Sequence, residues 1–190
     1  RYLTDGGLTD EALLEGLRKG VQRGTLIPVI GGSALRNLGV HTLLRCLVDL
    51  MPSPVTRAQV VPLQGVGLSE GGEPLTREPL ATAPFSGLVF KTIIDPFIGR
   101  LSYVRVYSGA LEADSSVYNV TRQVRERGGH LFSIFGKKYT PLSRAVAGDI
   151  VAVGKLKDSL TGDTLCEEHA RIRYPGIPVG RPVMSFAIEP

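Results

Sequence analysis

The hydrophobic period of this chain changes at Pro84, and that change limits what it can fold into. Ahead of Pro52 the apolar residues recur every third or fourth position, the spacing of one helix face; beyond Pro84 they alternate, the spacing of half-buried strands. The spacing predicts a helix from Asp10, with Thr9 as N-cap, Asp10 and Glu11 at the positive end of its dipole, and Leu13, Leu17 and Val21 on one face. Gly20 and Gly24 supply stop signals. Thr25 to Ile30 reads as a buried strand, Gly31-Gly32-Ser33-Ala34 as a turn, and Val40 to Leu50 as a second helix ended by Pro52 and Pro54.

From Pro52 to Pro84 proline, glycine and charge predominate and periodicity disappears, which reads as a linker or extended loop. After it, strands are predicted at Phe85 to Ile94, around Leu101 to Tyr107, and at Ser116 to Arg122, His130 to Phe135 and Ile150 to Val153. Asp95-Pro96, Ser108-Gly109, Gly128-Gly129 and Gly148-Asp149 supply the turns between them. Short strands at this spacing suggest a small closed barrel, with a sandwich as the other architecture. Arg181 to Glu189 alternates again and reads as a further strand.

Composition narrows the function classes. The longest apolar run, Leu26 to Ile30, is far short of the roughly 20 residues a membrane span needs, and a soluble, unsecreted protein is expected. The two cysteines, Cys46 and Cys166, form no metal-ligand spacing, which fits a reducing cytoplasm and no zinc. His41, His130 and His169 lie in unlike contexts and read as packing or surface residues; Asp149 and Asp163 follow glycines and read as turn caps rather than metal ligands. No catalytic residue and no metal site is assigned. Net charge is +4, and the segment from Thr121 to Lys157 carries eight Lys or Arg against Glu126 and Asp149. Such a segment either contacts nucleic-acid phosphates or is a solvated basic face.

Ile27-Pro28-Val29-Ile30-Gly31-Gly32-Ser33-Ala34, then Asn37-Leu38-Gly39-Val40 and Leu50-Met51-Pro52-Ser53-Pro54, resemble the end of the GTPase domain of elongation factor G. Phe90-Lys91-Thr92, Asp95-Pro96-Phe97-Ile98-Gly99-Arg100-Leu101, Arg105-Val106-Tyr107-Ser108-Gly109, Ala147-Gly148-Asp149-Ile150 and Thr161-Gly162-Asp163-Thr164-Leu165-Cys166 resemble that family's second domain. Around Ile134-Phe135-Gly136-Lys137-Lys138 the pattern is closer to elongation factor G-like paralogues than to the housekeeping translocase. The resemblance implies a mainly β fold: a closed translation-factor β-barrel of about six or seven strands, preceded by an incomplete α/β GTPase-domain remnant. The implied domains are 1–56 for the remnant, 57–84 for the linker, 85–180 for the barrel and 181–190 for the opening strand of a third domain.

The resemblance further implies that Ser33, Ala34 and Leu35 lie against a guanine base and that the barrel docks on ribosomal RNA. Candidate phosphate contacts are Arg122, Arg125, Arg127, Lys137, Lys138 and Arg144. GTP and magnesium belong to the parent GTPase. The residues here contain no G-x-x-x-x-G-K-[ST] loop, no magnesium-binding Asp motif and no Asn-Lys-x-Asp run, so this chain is expected to bind no cofactor firmly and to hydrolyse no GTP. The expected partner is the ribosome, with no membrane, and the torn remnant should expose apolar surface that could pair with a second copy. Two readings from other classes stand beside this one: a freestanding oligonucleotide- or protein-binding barrel, and a small-molecule enzyme, against which the strands offer no paired carboxylates and no Ser-His pairing.

Overall fold

The computed structural model describes residues 7–60, 63–67, 74–178, 180 and 187. The chain divides into two units, 1–62 and 63–190.

The first unit is helical. Helix α1 (Asp10–Gln22) begins where Thr9 Oγ1 accepts the Ala12 amide at 3.3 Å. It runs through Gly20 and stops where Gly24 takes φ 72°. Helix α2 (Val40–Leu50) matches its predicted span, and the Arg18 guanidinium Nε donates to the Asp49 carbonyl at 2.7 Å, tying α1 to the end of α2. Pro52 ends α2, but Pro54 opens helix α3 (Pro54–Val60), capped by Ser53 Oγ accepting the Thr56 amide at 3.2 Å. Proline suits the first helical position, where its missing N–H has no partner to lose.

The strand predicted at Thr25 to Ile30 does not form: residues 26–32 have no regular structure, and Ile27 and Val29 are 83% and 93% exposed. A strand needs a ladder to satisfy its amides, and apart from the single Ser33–Leu38 bridge the described residues of this unit supply none. Leu13, Leu43, Leu44, Leu47 and Val48 also stand exposed, and among the described residues of the unit Leu50 is the buried apolar one.

The second unit is built of strands. The segment expected as a linker carries two of them, β1 (Leu63–Gly67) and β2 (Pro74–Arg77), which pair antiparallel. Next come β3 (Ser86–Asp95), β4 (Gly99–Ser108), β5 (Ala110–Glu112), β6 (Ser116–Asn119), β7 (Val124–Arg127), β8 (Leu131–Phe135) and β9 (Lys138–Leu142). The last four are β10 (Arg144–Val146), β11 (Ile150–Gly154), β12 (Thr164–Cys166) and β13 (Ile172–Arg173).

Eight strands form one antiparallel sheet in the order β7-β6-β12-β3-β4-β11-β8-β9, beside a β10-β5 pair and a β13-β1-β2 sheet. The mainly β architecture is as expected, but the largest ladder has eight strands rather than six or seven, and among the described residues its hydrogen bonding ends at β7 and β9. The strand predicted at Arg181 to Glu189 lies, apart from Ala187, outside the described residues.

One face of the sheet buries Phe85, Val89, Val104, Val106, Leu131, Val151, Val153 and Leu165. The other buries Leu88, Tyr118, Cys166, Ile172 and Tyr174, with Leu75 of β2 packed against them. Covered on both sides, the first four residues of β3 are all buried; past a register shift at Val89/Lys91 the strand leaves the core, and Ile94 is exposed. The β3–β4 hairpin therefore projects into solvent.

A chain of hydroxyls crosses the second cluster. Ser108 Oγ donates to the Pro84 carbonyl at 2.7 Å, so Ser86 Oγ must donate to Ser108, and the Tyr174 hydroxyl to Ser86, each at 2.6 Å. Burial pushes the Tyr174 phenol up to about 12. A folded pKa above the unfolded value of about 10 gives stability that is whole below pH ~10 and lost as pH rises toward about 12. Urea titrations at pH 8 and pH 11.5 should show that loss, and Tyr174→Phe should reduce it while costing about 1 kcal/mol at pH 8.

Candidate nucleic-acid interface and nucleotide loop

In the first unit, the loop from Ile30 to Val40 is folded by its own backbone. Ser33 and Leu38 exchange amide-to-carbonyl bonds of 3.0 Å each, Asn37 N–H donates to the Ala34 carbonyl, and Ser33 Oγ accepts the Arg36 amide at 3.4 Å. Gly39 closes it at φ 74°; a Cβ there would sit 2.6 Å from the Gly31 carbonyl oxygen. A cavity of about 160 Å³ opens beside the loop, lined by Gly31, Gly32, Ser33, Ala34, Leu38 and Leu43 among others.

Among the described residues the amides of Ala34 and Leu35 donate to no protein acceptor, and Leu35 is fully exposed. The three predicted base contacts thus share one turn with free donors. That geometry suits a flat ring with an acceptor edge. The sequence motifs for phosphates and magnesium are absent from the chain.

The six basic candidates in the second unit divide into two kinds. Arg122 Nε donates to Asp163 Oδ2 at 2.7 Å, and that nearly buried carboxylate also accepts Asn119 Nδ2 at 3.0 Å and the Leu160 amide at 2.9 Å. Asn119 in turn accepts the Arg122 amide and donates to Ser159, whose hydroxyl donates to the buried carboxylate of Glu126. Arg122 is therefore part of the network that fastens the 157–163 loop. Arg125 pairs with Glu168, which it holds below the usual carboxylate range, and Arg144 pairs with Glu112 at 3.0 Å. Arg127 donates weakly to the Asp114 carbonyl at 3.4 Å.

Lys137 and Lys138 differ from these. Among the described residues neither has a carboxylate partner, and both are exposed at the β8–β9 turn, where Gly136 takes φ 60°. That turn faces the β3–β4 turn across a groove of about 540 Å³ lined by Asp95, Phe97, Ile98, Phe132, Gly136, Lys137 and Tyr139. Phe132 and Tyr139 meet edge to face at 6.1 Å. The Tyr139 hydroxyl, then burial, raises the neighbouring Tyr103 phenol to about 12, so the Tyr103 ring stays uncharged at neutral pH. Sequence reasoning found the lysines and missed the aromatic groove beside them. The available signal was an aromatic residue in each of two turns, Pro96-Phe97-Ile98-Gly99 and Phe135-Gly136-Lys137-Lys138.

Among the described residues no three His, Cys, Asp or Glu side chains gather as a metal site, and no helix is long and apolar enough to cross a membrane.

Residues 84–168 match the family described as elongation factor G domain 2. A crystal structure of a protein from Thermus thermophilus is similar to 87% of this chain, at TM-score 0.65 and 30% sequence identity. The chain spans 22% of that protein's length. Most of the strand-rich unit thereby matches a translation-factor β domain. Over residues 84–168 the chain is similar to the elongation factor G family of translation factors.

Proposed function

We propose that the chain is part of a GTP-binding translation elongation factor of the elongation factor G type, working on the ribosome in the cytoplasm, in which the β unit docks on ribosomal RNA. The observation that carries this reading is the match of residues 84–168 to the family's second domain, joined to an unpaired lysine pair on an exposed hairpin of that unit. In this reading residues 1–56 are the end of a GTPase domain. The free amides of Ala34 and Leu35 are what a base-contacting loop needs, and the exposed Leu43, Leu44 and Leu47 are what a helix presents when the rest of its domain covers it. The same apolar face could instead pair with a second copy. GTP and magnesium are held by phosphate machinery elsewhere in the parent protein, and this chain hydrolyses no GTP.

Closure of the sheet into a barrel fits the strand connections. β9 runs through Ser143 straight into β10, β5 runs through a short turn into β6, and β10 pairs with β5, so the continuation of the β9 edge is hydrogen-bonded to the strand that leads into β6 at the other end of the sheet.

The paired states of Arg122, Arg125 and Arg144 leave Lys137, Lys138 and Arg127 as the side chains most available to phosphates. Pelleting the full chain with ribosomes across a salt series should give affinity that falls linearly with salt on logarithmic axes. Replacing Lys137 and Lys138 together by alanine should lower that slope by about 1–2. Salt-independent pelleting, or an unchanged slope in the double variant, overturns the docking reading.

A further inference from the structure

The groove between the β3–β4 and β8–β9 turns has a construction that charge alone does not explain. Asp95 Oδ1 accepts the amides of Phe97 and Ile98 at 2.9 and 3.0 Å, which fixes the turn and holds the Phe97 ring out in solvent, 97% exposed. Phe135 stands 87% exposed at the opposite turn. The exposed Phe97 ring stands in the wall of a groove floored by Phe132 and Tyr139, with Lys137 also in its wall and Lys138 next to it. The carboxylate nearest the groove is Asp95, and its Oδ1 is already held by two backbone amides.

We propose that this groove takes an unstacked nucleobase of single-stranded RNA, sandwiched against Phe97 and the Phe132–Tyr139 floor, with the flanking phosphates met by Lys137 and Lys138. Flat aromatic faces give every base a stacking partner, and unpaired cations beside them give the backbone a counter-charge. A peptide strand fits less well. The neighbouring edge strand β9 carries Pro141, which has no N–H to offer an added strand, and the uncompensated charge nearby is positive. The proposal rests on the ribosome-docking reading for its natural partner, though not for its chemistry.

The test uses the full chain and an oligoadenylate of roughly ten nucleotides, within the site size of a single barrel domain, carrying one 2-aminopurine at its centre. Binding should quench the fluorophore by stacking. Phe97→Ala should weaken binding about tenfold or more, and Phe97→Tyr should restore it. The Phe97 side chain makes almost no buried contact, so loss of fold does not mimic the effect; circular dichroism of Phe97→Ala should match the wild type. Replacing Lys137 and Lys138 by alanine should lower the salt slope yet leave the quenching at saturation unchanged.

Absence of quenching, or Phe97→Ala binding the oligonucleotide as the wild type does, overturns the proposal. So does Phe97→Ala that weakens ribosome pelleting while leaving oligonucleotide binding intact, since the groove would then hold a protein. Quenching that depends on Phe97, in a chain that fails to pellet with ribosomes, upholds the groove and sinks the docking reading alone.

Discussion

Asp163→Ala should lower the unfolding free energy by about 2–4 kcal/mol, read from urea midpoints at neutral pH. The carboxylate is 4% exposed and its Oδ2 accepts three donors: Asn119 Nδ2, Arg122 Nε and the Leu160 amide. Alanine leaves the fully buried Asn119 with one acceptor fewer and the Leu160 amide with none, and it unlatches the turn that brings β12 against β3. The value stays below the full cost of breaking a buried ion pair because the Arg122 side chain is 40% exposed and can return to water. Arg122→Ala should accordingly cost about 1 kcal/mol. Equal losses in the two variants would mean that the ion pair, rather than the Asn119–Leu160 side of the network, carries the effect.

Gly109→Ala should cost about 2–5 kcal/mol, the sum of a left-handed backbone for a residue with a Cβ and an unrelieved overlap. Gly109 takes φ 70°, and a Cβ there would lie 2.5 Å from the Ala83 carbonyl oxygen and from the Phe85 amide nitrogen and Cα. All three are backbone atoms, so no rotamer change clears them. The same glycine donates to the Leu80 carbonyl at 2.9 Å and accepts the Ala147 amide at 3.0 Å, so displacing it disturbs two crossings at once. Gly136→Ala is the control: its φ is 60° but nothing lies within 4 Å of the added Cβ, and it should cost only about 1–2 kcal/mol. Thermal denaturation of the two variants separates the steric part from the backbone part.

The helices and long strands were legible because their signals are local. Thr9 ahead of Asp10 capped α1 as predicted, and the alternation at Leu101 to Tyr107 gave β4. The strands missed were those whose formation depends on partners. Val124–Arg127 carries three charged residues and Lys138–Leu142 contains Pro141, compositions that argue against strands until both are placed at sheet edges. The failed strand at Thr25 to Ile30 is the converse: its apolar run is sound, but the described part of the unit around it contains no ladder to join. β1 and β2 were hidden for a related reason, since the first of them pairs with β13, more than a hundred positions away in the chain.

Among the site residues, a list of charges in the sequence could not separate Arg122, Arg125 and Arg144 from Lys137 and Lys138. The distinction lies in Asp163, Glu168 and Glu112, which only the fold brings within reach. The aromatic groove was illegible for a similar reason. Its two walls come from turns nearly forty positions apart, and each Phe by itself reads as an ordinary apolar residue.

The family match ends at residue 168, yet the pairing of Val66 and Gly67 with Arg173 and Ile172 fastens the two ends of the strand-rich unit across its outer face. A piece trimmed to the matched span would lose Leu75, Ile172 and Tyr174, wetting Leu88 and Tyr118 and leaving the Ser86 hydroxyl without its donor. The strands and side chains that cover the second face of the sheet therefore extend from 63 to 174, wider on both sides than the matched span.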